Sequence, residues 1–175
     1  LEAIVDPANS ILESNETNNA ARILIDLAVP SNEPPPNDDF SNSIFIPTVT
    51  AGEFGFNTLA TSEAGEPAHY TGNDASRSVW WRWTAPSNMN VTISTDGSSF
   101  DTVLSVYVGT NVSQLARVAF DDDSGAGNNS RLSFPATADT TYRIAVDGFM
   151  EATGQIQLNL NPAWNDAFAS CLVIT

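Results

Sequence analysis

Residues 102–120 read "TVLSVYVGTNVSQLARVAF". Two apolar runs, "TVLSVYV" at 102–108 and "LARVAF" at 115–120, flank a Gly-Thr-Asn turn signal. In the first run Val103, Ser105 and Tyr107 alternate with Leu104, Val106 and Val108, the period-two pattern of a β-strand. Working outward, the same grammar recurs: "VWWRW" at 79–83, "VTIST" at 91–95, "RLSF" at 131–134, "TYRIAVD" at 141–147 and "GQIQLNL" at 154–160. Gly, Asn, Asp, Ser or Pro separate these runs, and "SIFIP" at 43–47 supplies an earlier one. No segment sustains a 3.6-residue apolar period. The reading is an all-β chain, an antiparallel β-sandwich or jelly roll with extended terminal strand segments.

The ends stand apart from that unit. "VPSNEPPPNDD" at 29–39 is proline-rich and polar, so residues 30–36 read as a stiff linker. Before it, residues 1–29 offer two strand candidates around an Asn-rich turn, and a lone hairpin of this size is marginal in water. After the sandwich of residues 37–161, residues 162–175 contain "NDAFASCLVIT", which lines up with "NDDFSNSIFIP" at 37–47. That match reads as the start of a following repeat. Strand addition to neighbouring copies or domains of the same protein would bury Ile23, Ile25, Leu27, Leu172 and Ile174, giving a head-to-tail assembly.

Charge narrows the function classes. The chain carries 21 acidic side chains against six basic ones, all arginines, for a formal charge of −15. Such a surface repels nucleic acid and anionic membranes and attracts cations. No run approaches the roughly 18 apolar residues that span a bilayer, so membrane insertion is not expected. The single cysteine, Cys171, cannot form a disulfide within the chain and reads as a buried thiol. Sequons stand at Asn15, Asn90, Asn111 and Asn128.

The ordered set "EPAH", "SVWWRW", "FDTVLSVY", "DDDSG" and "TTYRIAVDG", over about residues 37–160, resembles the pre-peptidase C-terminal-type, CUB-like β-sandwich modules of large secreted bacterial proteins. That resemblance implies an extracellular or cell-surface, non-catalytic role. One reading is a structural and adhesive repeat of a surface protein or fibre with calcium-stabilised junctions; the alternative is an accessory polysaccharide- or protein-binding module of a secreted hydrolase. The stretch "VDPANSILESNETNN" resembles the closing hairpin of cell-adhesion-related (CARDB-like) immunoglobulin-like domains. Its Glu13, Asn15, Asn18 and Asn19 are also similar to a calcium-binding turn of lysyl-oxidase catalytic domains, which has an Asp in the second place.

Two sites invite a ligand. Asp121, Asp122 and Asp123 stand side by side between two strand-like runs, and three adjacent carboxylates repel one another. By resemblance to the CUB-type calcium site, Asp101 is the first ligand and one or two of Asp121, Asp122 and Asp123 the later ones. Calcium suits such a set because it accepts six to eight oxygens with loose geometry. A solvated Asp-Ser-Gly turn is the other reading. In "VWWRW", Val79, Trp81 and Trp83 share one strand face and are expected in the core, while Trp80 and Arg82 share the other. There they are expected half-exposed, for a sugar or a domain interface. His69, the only histidine, cannot supply a zinc set with one cysteine and is expected as a packed or surface residue. Glu63 and Glu66 flank a turn without a cleft signal, and no Gly-x-Ser-x-Gly nucleophile motif occurs, so no enzyme activity is expected.

Overall fold

A computed structural model of the chain describes residues 32–47, 52–71 and 75–163. Among these residues, nine strands form two sheets. They are β1 (Ile44–Phe45), β2 (Gly52–Phe56), β3 (Val79–Thr84), β4 (Met89–Ser94), β5 (Thr102–Val108), β6 (Ala116–Asp121), β7 (Arg131–Ala136), β8 (Thr141–Gly148) and β9 (Gln155–Ala163). One sheet has the order β1-β3-β8-β5-β6 and the other β2-β9-β4-β7. The described residues from Glu33 onward belong to one compact unit. Every pairing among the described residues is antiparallel except β1 with β3, which is parallel, so the antiparallel expectation holds there for all but that short edge. Pro135 lies in β7, an edge strand, where a residue without an N–H is tolerated.

The alternation seen in the sequence sets the core. Val79, Trp81 and Trp83 of β3, Leu104 and Val106 of β5, and Tyr142, Ile144 and Val146 of β8 face one way. They meet Val91 and Ile93 of β4, Leu132 and Phe134 of β7, and Ile156, Leu158 and Leu160 of β9. The β2 strand, "GEFGF", was not anticipated, because two glycines in five residues weaken both propensity and pattern. Gly55 lets the Trp81 ring pack closely there: a Cβ would come to 3.0 Å from it.

A third layer covers the outer face of the five-stranded sheet. Phe40, Trp80, Tyr107 and Ala145 form a second apolar cluster there. The segment 57–71 is pinned over it: Ser105 Oγ donates to the His69 carbonyl at 2.6 Å, and Arg117 Nη1 donates to the carbonyls of Ala68 and His69 at 3.3 Å. Ahead of it, "NDDF" works as a clamp. Asn37 exchanges backbone and side-chain bonds with Trp80, Asp38 takes two bonds from Thr61, and Phe40 sets its ring edge-on against Trp80 at 5.2 Å. Truncating Phe40 to alanine should therefore cost about 3 kcal/mol, read from urea unfolding. The 1–29 hairpin, the 162–175 repeat and Cys171 lie outside the described residues, apart from the backbone of β9 as far as Ala163.

Candidate functional site

The acidic turn follows β6 and runs to β7. Asp121 closes it from within, its Oδ2 accepting the N–H of Ser124 at 2.9 Å and of Arg131 at 2.8 Å. Asp96, at the end of β4, accepts from Ala126 N–H at 2.7 Å and forms an ion pair with Arg131. Burial pushes the Asp96 carboxyl up, but its bonds to Arg131, to the Ala126 N–H and to Ser94 outweigh that and hold it below the usual range. Asn129 bridges the turn to the 96–100 loop through Gly97 N and Phe100 O. Gly125 is required by close approach, since a Cβ would meet the Asn129 carbonyl oxygen at 2.4 Å.

This frame brings Asp122 and Asp123 to Asp101, at the start of β5. One oxygen of each of Asp101, Asp122 and Asp123 lies within 4.8 Å of the others. Asp101 Oδ2 accepts from Asn128 Nδ2 at 3.2 Å. Asp101 Oδ1 and Asp122 Oδ1 are buried and have no hydrogen-bond partner. Burial first, then the charges of Asp123, Asp101 and Asp121, push the Asp122 carboxyl up to about 6. An anion that crowded, with two orphaned oxygens, is what a bound cation relieves. Three hard carboxylate oxygens fit calcium, with carbonyls or waters completing the shell.

Of the residues expected to ligate from the sequence, the structure brings together Asp101, Asp122 and Asp123. Asp121 stands outside that group: its Oδ2 accepts two backbone N–H groups that shape the turn. Glu13, Asn15, Asn18 and Asn19 lie outside the described residues. Trp80 is a correction. It is fully buried beneath Phe40, His69 and Tyr107, so it cannot stack on a sugar. Strand alternation places it on the outer face, as expected, but that face is roofed by the 57–71 segment. Arg82 remains half-buried, donating to the carbonyl and hydroxyl oxygens of Ser43.

His69 is packed. Its Nδ1 lies 2.9 Å from Tyr107 Oη and its Nε2 lies 2.9 Å from Glu66 Oε1, all three side chains shielded from solvent. Glu66 also accepts from Ser78 Oγ and from the Glu63 N–H, and Glu63 caps Phe40 N–H. The set holds the roof down. A polar anchor that the sequence reading missed is Asp147, fully buried, which accepts the N–H groups of Ser76, Arg77 and Gly148. The signal was there in "IAVDG": a carboxylate at the end of an otherwise apolar strand needs donors.

Residues 77–148, from Arg77 to the end of β8, match the family model of the bacterial pre-peptidase C-terminal domain. Over these residues the chain is similar to that domain. The matched stretch includes Asp101 and all three aspartates of the turn. Among solved structures, the pre-peptidase C-terminal domain of a collagenase from Bacillus anthracis is similar, with 15% identity, a TM-score of 0.45, and coverage of 68% of this chain and 94% of that one. A periplasmic inhibitor of g-type lysozyme from Aeromonas hydrophila is similar at 14% identity and a TM-score of 0.45, covering 69% of this chain and 96% of that one. No curated protein sequence matches the chain. Among the described residues, no helix is long and apolar enough to cross a membrane.

Proposed function

We propose that the chain is a non-catalytic extracellular module whose acidic loop end is locked by one calcium ion held by Asp101, Asp122 and Asp123, and that it links neighbouring domains of a longer surface or secreted protein. The observation that carries this reading is the pair of buried, unpartnered carboxylate oxygens on Asp101 and Asp122, converging with Asp123. The family description, a domain placed beside a peptidase, supports an accessory role. The clamp formed by Asn37, Asp38 and Phe40 supports the linking role, because Asn165, Asp166 and Phe168 repeat it. In this reading the second set docks on a following sandwich as the first docks on its own.

The test is a thermal melt in calcium and in chelator at neutral pH. An ion that binds only the folded state at a hundredfold excess over its dissociation constant adds about 2.7 kcal/mol, so the midpoint in calcium should lie several degrees higher. Equal midpoints, with no metal found by elemental analysis, reject the proposal.

The metal-free protein supplies a second expected outcome. Asp122 has a folded-state pKa raised from 3.8 to about 6. The folded state therefore holds a proton that the unfolded state has lost between those values. Stability in chelator should fall as pH rises through that window, by on the order of 2 kcal/mol after allowance for solvent screening. Asp122→Asn should flatten this slope and raise the midpoint in chelator at pH 7, while abolishing the gain from calcium. Midpoints measured from pH 4 to pH 7 check it.

A further inference from the structure

Arg82 and Arg143 sit directly opposite one another on β3 and β8, on the outer face of the five-stranded sheet. Like charges in direct cross-strand register repel. Both are half-buried, in a chain of charge −15 that offers 21 carboxylates, yet neither has a carboxylate partner among the described residues. The other described arginines differ. Arg131 pairs with Asp96, Arg77 reaches Glu151 at 3.8 Å, and Arg117 lies exposed over the Phe120 ring while bonding two carbonyls.

What the pair does have is half an arrangement. Nη1 of Arg82 donates to the carbonyl and hydroxyl oxygens of Ser43, and Nη1 of Arg143 donates to the same hydroxyl at 2.9 Å. Nε of Arg143 is buried with no partner. Burial, followed by the Arg82 charge, pulls the Arg143 guanidinium below its usual range. Aromatic rings flank the row: Phe40 lies 4.6 Å from the Arg143 guanidinium and Phe45, 49% exposed, lies 5.7 Å from that of Arg82. The next rung on the same face is a pair of threonine hydroxyls, Thr84 and Thr141, 2.9 Å apart.

We propose that the Arg82–Arg143 row is a binding site for a carboxylate, a role separate from the calcium site. Two planar forks with free N–H groups match a carboxylate in geometry and charge. A carboxylate carries one charge, so it meets the least opposition from the acidic chain. At ordinary ionic strength the more distant acidic residues are screened over about 8–10 Å, and the adjacent arginines dominate. The carboxylate comes either from a small free acid or from a Glu or Asp side chain of a protein segment.

The experiment is an NMR titration of the full chain in which the Arg82 and Arg143 Nε–H signals and the Ser43 amide are followed. The probes are sodium acetate and a capped triglutamate peptide, each against sodium chloride at equal ionic strength. A saturable shift with acetate, weakened at least tenfold in Arg143→Met and severalfold in Arg143→Lys, supports the site and a free acid as its ligand. A saturable shift with the peptide alone, with the same dependence on Arg143, supports the site and an acidic protein segment as its ligand. If Arg143→Met fails to fold by circular dichroism, Arg82→Met serves in its place. No shift with either probe, or a shift unchanged by substitution, overturns the proposal and leaves the two arginines as caps of Ser43.

Discussion

Replacing Asp147 with alanine should lower the stability of the domain by about 3–4 kcal/mol, among the largest effects of any single substitution in the described unit. The carboxylate is fully buried at the end of β8. Its Oδ2 receives Ser76 N–H at 3.0 Å, while Oδ1 receives Arg77 N–H at 2.8 Å and Gly148 N–H at 2.7 Å. Alanine strands these three N–H donors and the Ser76 hydroxyl, and opens a hole where the 75–78 segment turns into β3. Asparagine has the right shape and should still cost roughly 2–3 kcal/mol. Both carboxylate oxygens face N–H donors, so either orientation of the amide points an NH2 group at one of them. Urea unfolding of the two variants checks the order. An asparagine variant as stable as the parent would mean that the bonds to Ser76 and Arg77 contribute nothing.

Trp80→Ala should cost about 3–5 kcal/mol, whereas Trp80→Phe should cost only about 1–1.5 kcal/mol. The indole touches Phe40, His69 and Tyr107, so its removal empties the second apolar cluster and loosens the roof above it. Its Nε1 is buried without a partner, so phenylalanine discards a group that is already unsatisfied. A surface aromatic kept for a ligand behaves oppositely: its alanine variant is nearly neutral in stability. Chemical denaturation therefore decides between a buried Trp80 and a ligand platform.

These two residues show where sequence reading reaches its limit. Alternation told which face of β3 each tryptophan takes, because the pleat has a period of two whatever surrounds it. It could not tell that the outer face is covered, because the cover is the irregular 57–71 segment, whose "EPAHY" carries no period at all. Burial of Trp80 depends on Ser105 and Arg117 holding that segment down, contacts 36 and 48 residues away in sequence from His69. Asp147 was overlooked for the same reason, since its donors Ser76 and Arg77 lie some 70 residues earlier.

The acidic site was more legible. Like-charge crowding is a local property, so the triplet with Asp122 and Asp123 stood out at once, and the resemblance to the CUB-type calcium site marked Asp101. What could not be read was the division of labour within the triplet. Asp121 turns its oxygen to Ser124 and Arg131, a choice set by where β7 returns. Arg143 was passed over because "TYRIAVD" reads as an ordinary half-exposed strand. Its meaning appears only when the register puts it opposite Arg82.

The central claim, a calcium ion among Asp101, Asp122 and Asp123, is tested most directly by titrating calcium into the chelator-stripped protein by calorimetry at pH 6, in two buffers of different ionisation enthalpy. At that pH Asp122 is about half protonated, so binding must expel part of a proton. The account predicts a saturable isotherm whose heat differs between the buffers by that released fraction, and whose Asp101/Asp122/Asp123 component disappears in Asp122→Asn. Heats of dilution alone at millimolar calcium, or an isotherm that is identical in the two buffers and unchanged by Asp122→Asn, would contradict it.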